Sequence, residues 1–157
     1  MAATTTPSIS WVISQLGQHL PDVEFIEDED FAWSAPQKQI TYDPKADDAI
    51  WQLMHEAGHA THQHANYRRD IELLGYEVEA WGAAEQLAAK LDISIPIDII
   101  DDHIDTYRDW LHARSQCVDC SQTGIQVSPD SYRCLHCPAT WRVNDSRRCG
   151  LRRYRTG

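Results

Sequence analysis

A chain of 157 residues can form one ordinary domain, or one domain with a small appendage, and its 42% hydrophobic content is compatible with a packed core. No apolar run approaches the ~20 residues needed to cross a bilayer, so no membrane partner is expected. The net charge of −10 is unevenly spread: residues 1–116 carry −14, residues 117–157 carry +4, and all seven basic side chains of the second part are arginine.

Residues 1–10 lack the basic and apolar stretches of a signal peptide, so a cytoplasmic, reducing setting is expected. The five cysteines then read as metal ligands rather than as disulfides. The charge break at Cys117 coincides with the first cysteine, which sets the expected domains at 1–115 and 116–157.

In chain order, Ser8 or Ser10 can cap a helix with the apolar face Ile9, Val12, Ile13, Leu16 and Leu20, ended by Pro21. Val23 to Ile26 and Phe31 to Ser34 read as short strands around the acidic turn Glu27-Asp28-Glu29-Asp30. Gln37 to Asp43 alternates and reads as a third strand, which as an edge could take up an extended peptide. From Lys45 to about Asn66 the spacing of Ile50, Leu53, Met54 and Ala57 predicts a helix, with Asp43 as cap and Pro44 in the first turn.

That helix carries His55-Glu56-Ala57-Gly58-His59. Residues four apart share a helix face, so the two neutral imidazoles can hold one Zn²⁺, with Glu56 beside them as base for an activated water. His62 lies near the same face, but three side chains of one straight helix surround a tetrahedral ion poorly, so it is expected at the periphery or the surface and His64 in solvent. Position 62 is His and position 65 is Ala, which excludes the longer metzincin pattern.

The next helix is expected from about Ile71 to Leu91, with Leu73, Leu74, Ala80, Trp81, Ala84, Leu87, Ala88 and Leu91 as its apolar stripe. Glu77 falls inside that stripe, where a carboxylate is costly unless paired or bound to a cation. Glu77 is therefore favoured as third ligand, completing a site of two histidines and one glutamate with one open position. Glu79, 20 positions after His59, is the rival, although helical phase turns it outward. Small residues at Ala80, Ala83 and Ala84 would let the two helices approach closely. A further helix, capped by Asp98 or Asp101, is expected to about Ala113 with Ile100, Ile104, Tyr107 and Leu111 inward; His103 and Tyr107 could also reach the metal site.

Cys117-Val-Asp-Cys120 and Cys134-Leu-His-Cys137 have the spacing of a zinc ribbon, a closed four-thiolate structural site. Gly124 to Val127, Tyr132-Arg133 and Trp141 to Val143 supply strand-like pieces around it, and Cys149 is left over, inert or a cap for the catalytic zinc in a latent form. The stretch Arg147-Arg148 to Arg152-Arg153-Tyr154-Arg155 is a basic tail near Tyr132 and Trp141, a composition that can hold nucleic-acid phosphates and stack bases, or dock on the acidic body.

His55-Glu56-Ala-Gly-His59 and Glu77-Val-Glu-Ala80-Trp81-Gly-Ala-Ala84 make residues 8–112 resemble the gluzincin metallopeptidases, especially the short ImmA/IrrE-type endopeptidases. Appending a zinc ribbon is similar to the SprT-type proteases that act on DNA-bound proteins. The resemblance implies an α+β fold: a small zincin-like domain (N-terminal helix, short three-stranded sheet, metal helix, glutamate helix) followed by a four-cysteine zinc ribbon. It implies a zinc-dependent endopeptidase with one catalytic and one structural Zn²⁺, acting on a protein or peptide with Glu56 as base. The competing expectation is a non-enzymatic adaptor or nucleic-acid-binding protein whose first metal site is structural or latent.

Overall fold

A computed structural model describes residues 5–145 and 150–157. Among these residues the chain is mixed α+β, with four helices and two small sheets. It divides into two compact units, Met1–Ala65 with Tyr76–Ile97, and Asn66–Gly75 with Asp98–Gly157. No helix among the described residues is long and apolar enough to cross a membrane.

In the first unit, α1 (Ile9–His19) starts at Ser8, whose hydroxyl accepts from the Trp11 N–H at 3.2 Å. Val12 and Leu16 are its buried face. Strands β1 (Glu24–Glu27), β2 (Ala32–Ser34) and β3 (Gln39–Tyr42) form a sheet in the order β1-β3-β2, parallel between β1 and β3 and antiparallel between β2 and β3. β3 is thus the centre of the sheet and not an edge: partners on both sides already take its backbone groups, and it cannot accept an added peptide strand. Its Ile40 and Tyr42 point into the core, against which α2 packs together with β2 and α1.

Helix α2 spans Ala49–Thr61, shorter at both ends than its periodicity predicts. At the front, the Asp43 carboxylate accepts from the Lys45 N–H at 2.9 Å, and the chain makes two successive turns (Ala46 N–H to Asp43 C=O, Ala49 N–H to Ala46 C=O) before α2 begins. At the back, Gln63 adopts φ +51°. The His64 N–H then bonds the His59 carbonyl at 3.1 Å and the Gln63 N–H bonds that of Ala60 at 3.0 Å, a Schellman closure made without the usual glycine.

Helix α3 runs Asp70–Lys90; its residues 70–75 group with the second unit and the rest with the first. In the first unit Ala80, Trp81, Ala84, Leu87 and Ala88 are its buried side. Helix α4 (Ile97–Ser115) buries Ile100, Ile104 and Tyr107, with the His103 ring edge-on to Tyr107 at 5.5 Å; it extends two residues beyond Ala113.

The second unit ends in an antiparallel meander, β4 (Gly124–Ser128), β5 (Ser131–Cys134), β6 (Thr140–Val143) and β7 (Arg153–Thr156), in that spatial order. β7 occupies what the sequence reads as a basic tail, pairing Arg153, Tyr154 and Arg155 with Val143, Arg142 and Trp141. Trp141 is fully buried and stacks on the nearly buried Tyr132. These two rings are core, so they offer no platform to a nucleic-acid base. The Arg147, Arg148 and Cys149 part of that stretch lies outside the described residues.

A buried polar network closes this unit. The Arg114 Nε–H donates to Asp70 Oδ2 at 2.7 Å, Tyr132 donates its hydroxyl to the same oxygen, and Trp141 Nε1–H donates to the Arg114 carbonyl at 2.9 Å. Asp70 is 2% exposed and Arg114 5%, so each charge depends on the other for compensation. Asp70→Ala should therefore cost about 3–5 kcal/mol, read as a shift of the urea unfolding midpoint, because it strands the guanidinium.

Candidate metal centres

Three groups of described side chains could hold a metal ion: His55, His59 and Glu77; His62, His64 and Glu79; and the four cysteines 117, 120, 134 and 137.

The first group is built where α2 meets α3. One turn of α2 presents His55 and His59 with their rings edge-to-face, 4.6 Å apart. From α3, Glu77 enters with Oε2 2.8 Å from His55 Nε2 and Oε1 3.2 Å from His59 Nε2. All three side chains are at least seven-eighths buried. The His55 ring lies flat on Trp81, with centroids 4.5 Å apart. This geometry depends on Gly58: a Cβ built there would fall 1.9 Å from the Ala80 carbonyl oxygen, so only glycine lets the backbones approach this closely. Zinc bonds of 2.0–2.1 Å put tetrahedral ligand atoms roughly 3.3–3.4 Å apart; the His59–Glu77 distance of 3.2 Å is near that edge, and the His55–Glu77 distance of 2.8 Å is shorter, at hydrogen-bond length.

The electrostatics suit a cation. Burial works against charging His55, but the carboxylates of Glu56 and Glu77 outweigh it and push its pKa up to about 9. Burial likewise opposes the Glu77 anion, yet hydrogen bonds from His55 and His59 hold its carboxyl well below the usual range. Without metal the cluster is a carboxylate held by an imidazolium. Glu56, read as the general base, has Oε1 3.4 Å from His55 Nδ1, the nitrogen on the other side of the ring from Glu77.

The second group corrects the reading of His64, which is buried rather than solvated. The Schellman closure folds it back along α2, and its carbonyl accepts from Trp33 Nε1–H at 2.9 Å. Its ring stacks between His62 (5.3 Å) and Tyr76 (4.3 Å). Nδ1 of His64 lies 2.8 Å from Nδ1 of His59, and Nε2 lies 2.8 Å from Glu79 Oε2. Burial lowers the His64 pKa against the pull of Glu79. His62 is exposed, and the Glu79 side chain is 54% exposed. No local signal marks His64: glutamine is not a residue whose presence announces a helix end.

In the third group the sulfur pairs Cys117–Cys137 and Cys120–Cys134 are 3.6 and 3.5 Å apart, far beyond a disulfide bond and close to the roughly 3.8 Å edge of a zinc–thiolate tetrahedron. Each knuckle also donates a backbone N–H to sulfur, Asp119 to Cys117 (3.4 Å) and His136 to Cys134 (3.3 Å). The His136 N–H draws the Cys134 thiol down to about 6. The Ala139 N–H works in the same direction at Cys137, but burial and the adjoining thiols outweigh it and push that thiol up to about 12. The four sulfurs thus divide into readily ionised and resistant members, and a cation would relieve the second kind.

Two outcomes follow for the histidine centre. Gly58→Ala should weaken cobalt(II) uptake there at least tenfold and lower stability by about 1–3 kcal/mol, with the thiolate-to-cobalt absorption of the cysteine site unchanged. Because a ligating imidazole must first lose its proton, metal affinity at the same centre should fall about tenfold per pH unit as pH drops below the His55 value of about 9, measured by chelator competition.

No family model, curated protein or solved structure matches the chain, so its function is read from its own side chains.

Proposed function

We propose that the first unit is a zinc-dependent endopeptidase and the cysteine ribbon a structural zinc module. What supports this is the convergence of both Glu77 carboxylate oxygens on the facing nitrogens of His55 and His59, a three-donor set of the kind that leaves a coordination position open. His55, His59 and Glu77 would hold zinc there, and it would supply Lewis-acid polarisation of a scissile carbonyl and a water whose pKa is lowered to about 7.

The chain's own residues do the rest. Glu77 would neutralise part of the ion's charge and, with the paired imidazoles, would hold it. Trp81 packs flat against His55 and restrains the ring. Glu56, one residue after His55 and with a side chain 12% exposed, is the base that takes a proton from the attacking water and passes it to the leaving amine. The substrate is a protein or peptide, met in a reducing compartment that keeps the four thiols available for metal.

The position of Glu56 against His55 Nδ1 favours one other reading, a non-enzymatic metal site in which that carboxylate only orients the ligand. In this reading the protein is an adaptor, with the arginines of the ribbon (Arg142, Arg152, Arg153, Arg155) as a surface for phosphates.

Glu56→Gln separates the two. The peptidase reading expects cleavage of an unfolded protein substrate to fall by roughly 10²–10⁴-fold with zinc content unchanged. The orienting reading expects zinc affinity itself to fall roughly 10–100-fold.

A further inference from the structure

We propose that a cavity at the start of α2 binds a small organic cation, an ammonium group carried on an apolar body. The cavity shares no residue with the three candidate metal centres, and the proposal does not depend on the peptidase reading.

Three segments of the first unit enclose it: the residues leading into α1, the turns leading into α2 together with its first residues, and the loop after α3. Its volume is about 430 Å³, within the roughly 300–1,000 Å³ of small-molecule sites. Ile9, Ile50, Trp51 and Ile93 supply its apolar wall, and all four are only half-buried. Part of this apolar surface is therefore open to a ligand that would take it out of water.

The charge around that wall has one sign. Asp47, Asp48 and Asp92 line the cavity, and among the described residues no lysine, arginine or histidine does. None of the three carboxylates is ion-paired with a described residue; Asp48 Oδ2 accepts from Gln52 Nε2 at 2.9 Å.

Two of these acids have a local reason to be there, since Asp47 and Asp48 precede the positive N-terminal end of α2. Asp92 has the opposite setting. It stands just past the C-terminal end of α3, the negative end, in a left-handed conformation at φ +55°. The Ile93 N–H bonds the Ala88 carbonyl at 2.8 Å and the Asp92 N–H that of Ala89 at 3.3 Å, a Schellman closure that glycine or asparagine would make without the charge. The fold gains nothing from an anion at that position, whereas a cation in the cavity would.

A bare divalent ion fits the three carboxylates poorly. Among the described residues only the three clusters already named bring three or more ligand atoms within 4.8 Å of one another, and these aspartates are in none of them. An organic ammonium is larger. It can meet carboxylates on separate sides of the cavity while its body covers Ile50 and Ile93, and the indole of Trp51 attracts a cation to its face.

The test uses the full-length protein, with ¹H–¹⁵N spectra recorded during titration with 2-phenylethylamine at neutral pH. The amine should shift the Trp51 indole signal and the Ile50 and Ile93 amides with a Kd of about 1 mM or below, and 3-phenylpropionate, a carboxylate on the same body, should bind at least about tenfold more weakly. Asp92→Asn, which keeps the left-handed turn, should weaken the amine about 2–5-fold, and Asp47→Asn with Asp92→Asn about tenfold. An acid that binds as well as the amine overturns the proposal, as does amine binding indifferent to both variants. Calcium that displaces the amine at equal concentration overturns it in favour of a metal site. Tighter binding of N-acetyl-lysinamide than of the amine also overturns it, because the cavity would then take a side chain of a protein partner.

Discussion

The approach of α2 and α3 at Gly58 and Ala80 governs the first unit. Helices whose side chains interdigitate normally keep their axes roughly 8–10 Å apart. Here a single missing Cβ lets the α3 backbone settle onto α2. Gly58 lies between His55 and His59 in sequence, and Ala80 is one turn after Glu77, so the contact point and the imidazole–carboxylate cluster share the same stretch of both helices. Wherever the backbones touch, the carboxylate one turn away is carried to the rings. The alanines around it (Ala57, Ala60, Ala83, Ala84) are buried and keep the seam thin.

The two principal clusters solve opposite problems with the same kind of close packing. The nitrogen–oxygen cluster combines a ring that holds its proton up to about pH 9 with a carboxylate held ionised, a pair already balanced in charge. A metal entering there must displace a proton, and a divalent ion in its place would leave the cluster one positive charge in excess. The sulfur cluster has no counter-charge among its own four members, and two of its thiols are driven upward by their neighbours. Four thiolates at 3.5–3.6 Å within each pair can ionise together only around a cation. The first arrangement suits a centre that remains open to other ligands; the second suits one whose whole purpose is to close the fold around Tyr132 and Trp141.

What the sequence makes legible is what depends on local period and composition. The Ser8 cap and the Val12–Leu16 face of α1 follow from capping chemistry and spacing alone. The inward turn of Glu77 follows from its place among apolar neighbours, and the knuckle spacing brings the cysteines together. Three features are not legible, for physical reasons of different kinds. β3 sits between β1 and β2 because strand order is a non-local choice that no window of residues encodes. β7 is hidden by its own arginines, whose charge reads as a solvated tail. In the fold Arg155 instead pairs with Asp119 at 3.0 Å and Arg153 donates to the Gln116 carbonyl. His64 is hidden because its burial depends on a left-handed glutamine and on Trp33, thirty-one positions earlier.

That last case bears on how the protein distributes its histidines. A segment carrying His55, His59, His62 and His64 could in principle bind metal in several overlapping ways, and a surface tract of that kind would bind unselectively. Folding separates them by burial and by phase. His55 and His59 are turned inward with an anion between them, His62 remains outside, and His64 is withdrawn from solvent but aimed at an exposed carboxylate. Selectivity among four chemically identical side chains thus comes from burial and helical phase, which give the inward pair a carboxylate on α3 that the outward ring does not reach.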